Sequence, residues 1–408
     1  MRDSIYMQYN PWWEEEYSPI GIIPRTSVLD KIEKWMKSDL IIILTGLRRI
    51  GKTTIMKLLV QKLIEEGVNP KEIFYVSLDD YALDSQSILE IVKEYRTIHK
   101  LPVDKKIYLF LDEVAYIDRF QQQLKTLHDR QNVKIVASSS SSSVLKDKMA
   151  FLTGREIVIK IFPLEFSEYL AFRDIDIKKR DDHLEEKYFQ EYLQTGGIPA
   201  YVLNPERQYL QTVIDDIIFK DIIAYHNIKN NQAIKDFFLL LMERAGKQVS
   251  INKVANILKI SPDSAKRYLG FFEETYLVYT VQRYGTTNEQ LLSPQKIYAA
   301  DLGIRQLYTG FRDIGSIFEN YIFLVIQNRN PQLVNYVYEN GIEIDFIIDK
   351  RFMVEVKYYR TLNEKQERVF KEFKAQQKLI LQGREEIAEL ESYFGEPPPV
   401  FPAPGGKR

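Results

Sequence analysis

The spacing of apolar positions changes along the chain, and its first part alternates strand-like and helix-like stretches. Short apolar runs occur at Leu40–Thr45, Ile73–Leu78, Ile107–Leu111 and Lys134–Ala137. Helical spacing occurs between such runs, as in Ile32–Lys37 and Thr53–Glu66. Because apolar strands separated by helices are typical of a parallel sheet covered on both faces, the pattern predicts an α/β fold.

Beyond Pro163 the pattern is nearly all helical as far as residue 245, apart from a break at residues 196–199. From about Gly285, β-branched and aromatic residues again alternate with polar ones. This alternation is clearest in residues 334–338, 343–348 and 353–359. The pattern therefore predicts a second region in which helices precede strands.

Composition restricts the class of protein. The 408 residues are 45% apolar and 28% charged, which is typical of a globular chain of about two to four domains. The net charge of −1 supplies no general positive field, so contact with nucleic acid needs a local basic patch. The lack of cysteine excludes disulfides and cysteine zinc sites. No apolar run approaches the ~20 residues of a membrane span, and residues 1–13 lack a signal-peptide pattern. We therefore expect a cytoplasmic location and no membrane association.

A glycine-rich turn follows the first strand-like run. It fits G-x-x-x-x-G-K-[ST], in which backbone amides surround phosphates, a lysine reaches the β and γ oxygens, and a hydroxyl binds Mg²⁺. The predicted nucleotide-binding residues are Gly46, Leu47, Arg48, Arg49, Ile50, Gly51, Lys52, Thr53 and Thr54. Its place between an apolar strand and an amphipathic helix argues against a chance match. ATP and Mg²⁺ are the expected ligands, with Lys52 catalytic and Thr53 a metal ligand.

Two carboxylates follow the apolar run Ile107–Leu111. Downstream of a phosphate-binding loop, an apolar strand that ends in Asp-Glu indicates the hydrolytic half of the site. Asp112 is predicted to hold the magnesium shell, and Glu113 is predicted to orient and deprotonate the attacking water.

Together these motifs resemble the AAA+ ATPases of archaea and bacteria that carry a C-terminal domain of uncharacterised function. The resemblance covers nearly the whole chain and includes residues 10–13, 46–54, 111–114, 152–155, 163–168, 196–199 and 345–357. It implies an ATP-hydrolysing protein that self-associates into a ring or another homo-oligomer.

The resemblance also suggests two further catalytic residues. Family members follow the fourth strand with Thr-Gly-Ser-Ser, whose polar side chain senses the γ-phosphate, whereas this chain has Ala137 followed by serines at 138–143. Ser139 is the candidate sensor, and a flexible polar loop is the alternative. Arg155 is the candidate arginine finger acting across a subunit boundary, and a salt bridge or a helix cap is the alternative.

Residues 234–300 carry the pattern of a winged helix. The pattern consists of three helices and a strand pair, namely 234–244, 251–258, 262–274, 277–283 and 296–300. The third helix of such a fold commonly enters a major groove, so Lys266 and Arg267 would face phosphate, with Lys253 beside them. DNA is the expected partner by analogy with AAA+ ATPases that carry winged helices, and docking of another protein is the alternative.

The last strand-like segments hold a pattern that resembles the PD-(D/E)XK nuclease fold. A tight turn centred on Lys350 would set Asp345 across from Glu355, and Lys357 would share a strand face with Glu355. With Glu319 on the preceding helical stretch, these residues form a candidate second metal site. The alternatives are a solvent-exposed hairpin and a degenerate nuclease fold that only binds DNA.

The predicted architecture is an α/β P-loop AAA+ core with a helical lid, a winged helix and a restriction-endonuclease-like C-terminal domain. The predicted segments are a docking segment at 1–20, the core at 21–162, the lid at 163–232, the winged helix at 233–285, the nuclease-like domain at 286–395 and a disordered tail at 396–408. The leading hypothesis is an ATP-driven motor or remodeller that acts on duplex or branched DNA. A nucleotide switch of signalling or defence type and a metal-dependent nuclease are the alternatives.

Overall fold

The structure, a computed structural model, describes residues 3–19, 21–84, 86–141, 152–178 and 181–395. The chain forms two compact units, of which the first ends at Phe162 and the second begins at Pro163. The predicted tail at 396–408 lies outside the described residues, as do the last two serines of the run at 138–143. No helix in the described ranges is both long enough and apolar enough to cross a membrane.

The first unit is built on a parallel five-stranded sheet. Its strands are β1 Ile41–Thr45, β2 Ile73–Ser77, β3 Ile107–Asp112, β4 Val133–Ser139 and β5 Glu156–Lys160. Its helices are α1 Asp3–Tyr9, α2 Thr26–Met36, α3 Lys52–Glu65, α4 Ile88–Ile98 and α5 Phe120–Arg130. The strand order is β2-β3-β4-β1-β5, and each neighbouring pair is parallel. The predicted α/β fold is confirmed.

Burial explains why these segments fold as they do. All residues of β1 and β4 are buried, as expected for central strands covered on both faces. Helix α2 begins earlier than predicted because Val28 and Ile32, four residues apart, form one buried stripe. Since the carboxyl ends of parallel strands meet at one edge of a sheet, β1, β3 and β4 bring their C-terminal residues together.

The N-terminal segment lies along the edge strand β2. The side chain of Asn10 accepts a hydrogen bond from the Tyr75 amide at 2.6 Å and donates one to the Tyr75 carbonyl at 2.8 Å. Trp13 stacks on Phe74 and on Tyr95, with ring centroids 6.0 and 5.8 Å apart. The segment therefore satisfies backbone groups of β2 that would otherwise face outward at the edge of the sheet.

The second unit begins with helices and ends in a mixed sheet. Its α-helices are α6 Phe166–Phe172, α7 Asp182–Thr195, α8 Pro199–Leu203, α9 Arg207–Asp216, α10 Asn231–Glu243, α11 Ile251–Leu258, α12 Pro262–Glu274, α13 Thr287–Leu292, α14 Leu302–Thr309, α15 Ile314–Asn328, α16 Glu364–Glu372 and α17 Ile387–Phe394. A π-helix, Ile217–Ala224, continues α9. Its strands are β6 Lys247–Val249, β7 Val278–Arg283, β8 Gln295–Ala299, β9 Val334–Glu339, β10 Ile342–Ile348, β11 Phe352–Val356 and β12 Gln377–Leu381.

The seven strands of this unit form one sheet in the order β12-β11-β10-β9-β7-β8-β6. Strands β7 and β8 pair as the predicted antiparallel hairpin, and helices α10, α11 and α12 precede them as predicted. Strand β7 also pairs in parallel with β9 through Gln282 and Arg283. The division at residue 285 stays a prediction, and in the structure the strands on its two sides belong to the same sheet.

Two apolar clusters cover the two faces of strands β10 and β11. One contains Phe346 and Val354 with α15, and the other contains Ile347 and Met353 with Val369 of α16. The pairing of β9 with β10 shifts between residues 344 and 347, which is a bulge. Bulges change the direction in which a side chain points, and this one contains the predicted site residue at position 345.

Candidate functional site

The phosphate-loop motif forms a tight turn between β1 and α3. Gly46 has a φ of 141°, and a Cβ added there would lie 2.3 Å from the Ile161 carbonyl oxygen. Gly51 has a φ of 99° and directly precedes the first residue of α3. Glycine is therefore required at Gly46 by close backbone approach and favoured at Gly51 by backbone conformation.

The other residues of the loop differ in burial and backbone conformation. Leu47 and Ile50 are buried, and Arg49 takes a left-handed backbone conformation with a φ of 61°. Lys52 is only 5% exposed, and its Nζ donates to the carbonyls of Gly46 and Leu47 at 3.0 and 3.1 Å. The ammonium group therefore lies within the turn, where the motif requires it.

Hydroxyl groups from three elements converge on the carboxylate of Asp112 at the end of β3. Thr53 Oγ1 donates to Asp112 Oδ2 at 2.6 Å, and the Tyr75 hydroxyl donates to the same oxygen at 2.8 Å. Ser138 donates to Asp112 Oδ1. A hydroxyl and a carboxylate in contact are hard oxygen donors of the kind Mg²⁺ prefers, so Thr53 and Asp112 fit the metal site predicted for them.

Glu113 lies beside this group in a left-handed backbone conformation, with φ 52° and ψ 47°. Its Oε2 accepts hydrogen bonds from the amide and the hydroxyl of Ser140 at 3.2 and 3.0 Å. Burial raises the pKa of Glu113, the Lys52 ammonium opposes the shift, and the Asp112 carboxylate reinforces it. A carboxylate with a raised pKa is better suited to accept a proton from water than an ordinary glutamate.

The serine that faces the acidic pair is not the one singled out from the sequence. Ser139 is buried, and its hydroxyl donates to the Ser141 carbonyl at 3.0 Å. Ser138 bonds to Asp112 and accepts from the Glu113 amide at 3.0 Å. Side chains alternate along a strand, so Ser138 and Ser140 lie on one face of the sheet and Ser139 on the other. Which of the two faces meets Asp112 depends on the register of β4 beside β3.

Arg155 lies within hydrogen-bond distance of an acid in the same chain. Its Nε is 2.8 Å from Asp129 Oδ1, and both side chains are 36% exposed. This contact matches the salt-bridge alternative for Arg155, and the arginine-finger role stays a prediction.

The predicted DNA-contacting residues lie on two helices of the second unit. Lys266 and Arg267 are exposed on α12, and Lys253 is exposed on α11. Ser261 caps α12 through the Ser264 amide at 3.1 Å, with Pro262 at its first turn, as the sequence predicted. The basic residues are therefore carried on regular helices.

The structure brings the C-terminal acids together but adds an unpredicted cation. Phe346 pairs with Val354 across the two strands, so the next pair along is Asp345 with Glu355. Lys357 Nζ is 2.6 Å from Glu355 Oε1. The ammonium of Lys296 contacts Asp345 at 3.0 Å and Glu319 at 2.6 Å. Among the described residues, no three acidic or histidine side chains are arranged to hold a metal ion. In the structure these residues form ion pairs with one another and with Lys296, and the candidate second metal site stays a prediction.

Comparison with known proteins agrees with the geometry of the first unit. Residues 38–170 match a family model described as an AAA domain. The matched stretch contains the phosphate-binding turn and the acidic end of β3, so this part of the chain is similar to an AAA domain. Residues 186–314 and 314–395 match two domains of unknown function, DUF8612 and DUF4143.

The chain is also similar over most of its length to uncharacterised proteins. It is 28% identical over 382 residues to protein MJ1544 of Methanocaldococcus jannaschii, covering 88% of this chain and 83% of that protein. It is 27% identical over 347 residues to a protein of Haemophilus influenzae, covering 81% and 84%. Among solved structures, the replication initiator DnaA bound to AMPPCP and single-stranded DNA is 16% identical, with a TM-score of 0.29, covering 65% of this chain and 93% of that one.

Proposed function

We propose that the AAA-type domain hydrolyses ATP with Mg²⁺, using Lys52, Thr53, Asp112 and Glu113. The observation that carries the proposal is the contact of 2.6 Å between Thr53 Oγ1 and Asp112 Oδ2, one residue before Glu113. It joins the phosphate-binding turn to the acidic strand end.

Each residue has a distinct part in this proposal. Lys52 and the amides of the turn bind the phosphates, and Thr53 and Asp112 hold the metal. When bound, Mg²⁺ would neutralise negative charge on the β- and γ-phosphate oxygens. Glu113 orients a water molecule and accepts its proton, while Ser140 fixes the carboxylate through two hydrogen bonds.

Turnover measurements on single variants test this assignment. Lys52→Ala should lose both nucleotide binding and turnover, whereas Glu113→Gln should bind ATP and turn it over about 10²–10⁴-fold more slowly. Glu66→Gln, at an exposed position just after α3, is the matched control and should behave as wild type. Failure of the wild-type protein to bind Mg·ATP, or normal turnover by Glu113→Gln, would contradict the assignment.

We further propose that the protein acts on DNA through the second unit. The order of helices α10, α11 and α12 followed by the hairpin β7–β8 supports a winged helix, and Lys253, Lys266 and Arg267 on its helices are exposed. The order α15, β9, β10, β11, α16, β12 with Asp345 opposite Glu355 supports a nuclease-like domain that contacts DNA.

ATPase rates without DNA, with linear duplex and with branched DNA test this second proposal. Turnover should rise with DNA, and turnover indifferent to DNA would instead favour a nucleotide switch. The triple variant Lys253→Ala, Lys266→Ala, Arg267→Ala should weaken DNA binding and lower the slope of log affinity against log salt by about one per lost phosphate contact. Lys100→Ala, at an exposed site of the first unit, is the charge control.

Self-association is proposed from the same resemblance. If Arg155 acts across a subunit boundary, a mixture of Arg155→Ala and Glu113→Gln chains should regain turnover that neither variant has alone, because some boundaries then combine an intact arginine with an intact glutamate. Wild-type turnover by Arg155→Ala would instead leave only its salt bridge to Asp129.

A further inference from the structure

A fully buried lysine lies among the carboxylates of the nuclease-like strands. Lys296 on β8 is 0% exposed. Its Nζ is 2.6 Å from Glu319 Oε1, 2.6 Å from Glu343 Oε1 and 3.0 Å from Asp345 Oδ1. Three acids from α15 and β10 therefore share one ammonium group.

Other groups already contact several of the oxygens that a metal would need. The second oxygen of Asp345 accepts a hydrogen bond from the Val356 amide at 2.9 Å. Glu355 accepts from the Asp345 amide at 3.0 Å and pairs with Lys357 at 2.6 Å. Mg²⁺ requires several oxygens at about 2.0–2.1 Å in near-octahedral order, and an ammonium at the centre of the group excludes that order.

Charge balance favours the lysine as well. Burial disfavours the charged form of Lys296, but Glu319, Tyr298, Asp345 and Glu343 outweigh it and raise its pKa well above its usual value. Lys357 adds a second positive charge, 2.6 Å from Glu355. Two ammonium groups thus offset two of the four carboxylates without a divalent ion.

The lysine is held in place by the sheet. Its backbone lies between two neighbouring strands, paired with Gln248 of β6 and Val281 of β7. Its Nζ is 5.8 Å from the centre of the Tyr298 ring and 5.9 Å from that of Phe346. The Lys296 ammonium is therefore buried beside these rings, and a metal at the same carboxylates would have to share the site with it.

We propose that the ammonium of Lys296 takes the place of the divalent metal that the PD-(D/E)XK resemblance implies, so that this domain binds no metal and does not cleave DNA. These residues do not fit a divalent metal. Their ion pairs instead connect the hairpin β7–β8 to β10 and α15. Lys296 precedes Asp345 by 49 residues in the chain, so their contact connects two distant segments of the folded sheet. The inference concerns the second unit and does not depend on ATP turnover.

Mn²⁺ binding to the full chain without nucleotide, counted by electron paramagnetic resonance, tests the proposal. Wild type and Asp345→Asn should bind the same number of ions. Lys296→Ala, which removes the ammonium and opens space, should gain one Mn²⁺ per chain, whereas Lys296→Arg, which keeps the charge, should gain none. The gain should disappear in the double variant Lys296→Ala, Asp345→Asn.

Two results would overturn the proposal. One is a Mn²⁺ ion that wild type holds and Asp345→Asn loses, and the other is a folded Lys296→Ala protein that gains no ion. Circular dichroism establishes folding of each variant. If Lys296→Ala does not fold, the comparison of wild type with Asp345→Asn decides alone: equal ion counts and no cleavage of duplex or branched DNA in Mn²⁺ support the proposal. Cleavage that Asp345→Asn abolishes refutes it.

Discussion

Replacing Tyr75 with phenylalanine removes one hydrogen-bond donor from the Asp112 carboxylate and leaves the aromatic ring in place. The Tyr75 hydroxyl donates to Asp112 Oδ2 over 2.8 Å in a buried site. Burial, together with the Asp112 charge, raises the pKa of Tyr75, so this hydroxyl stays protonated and donates throughout the neutral range. If Thr53 turned from Asp112 to a bound metal, Tyr75 and Ser138 would still donate to the carboxylate.

The expected loss follows from the charge of the acceptor. A hydrogen bond to a charged group contributes about 1.5–3 kcal/mol, which corresponds to about 10–100-fold in a binding or rate constant. Groups that orient a metal ligand show losses of the same size, about 10–100-fold. Ser138 still donates to the other oxygen of Asp112. We therefore expect the loss in Tyr75→Phe to lie near the lower end of that 10–100-fold range, at about tenfold.

Steady-state ATPase rates over a range of free Mg²⁺ provide the assay. Tyr75→Phe should require more Mg²⁺ for half-maximal activity and lower kcat/KM for Mg·ATP by about tenfold. Tyr95→Phe is the matched control, since its buried ring stacks on Phe74 while its hydroxyl donates to the Lys71 carbonyl at 2.8 Å, remote from Asp112. An unchanged Mg²⁺ requirement in folded Tyr75→Phe would refute the role of this hydroxyl.

Three further outcomes are expected. Burial raises the pKa of Glu113, and this base must be ionised to accept a proton, so turnover should be lost on acidification above the ordinary glutamate pKa of about 4.3. If the residual turnover of Glu113→Gln shows the same loss at low pH, the titrating group is a different residue. Gly46→Ala should abolish nucleotide binding and destabilise the protein in urea unfolding, because the added Cβ would lie 2.3 Å from the Ile161 carbonyl oxygen. Gly67→Ala, at a positive φ with open space around it, should lower the free energy of unfolding by only about 1–2 kcal/mol. Equal losses in the two variants would contradict the clash at Gly46. Asn10→Ala removes two buried hydrogen bonds to β2 and should lower the free energy of unfolding by about 1–3 kcal/mol, whereas an unchanged value would show that water replaces them.

Local patterns were sufficient for much of the fold and of the nucleotide site. The turn at residues 46–54 depends on glycines and on the helix that follows directly, so its motif specified the geometry around Lys52. The position of Asp345 opposite Glu355 followed from a short turn, in which Asp349 and Lys350 take left-handed conformations. Strand β5 was not predicted, because its residues carry little alternation and it forms as an edge strand that pairs with β1.

Contacts between distant segments required the folded chain. Tyr75 reaches Asp112 because β2 is the neighbour of β3, a pairing that no local pattern encodes. The serine that faces Asp112 depends on the phase of β4 in the sheet, and one residue of shift selects Ser138 over Ser139.

The C-terminal acids show the same division most clearly. Residue types and spacing place Asp345, Glu355 and Lys357 on one hairpin, because strand periodicity is a local property. The ammonium that changes their chemistry belongs to Lys296 on another hairpin, and it reaches them only because both hairpins join one sheet. A residue's type and its neighbours along the chain thus specify which groups are present, whereas strand order and register specify which of them meet, because those depend on packing across the whole unit.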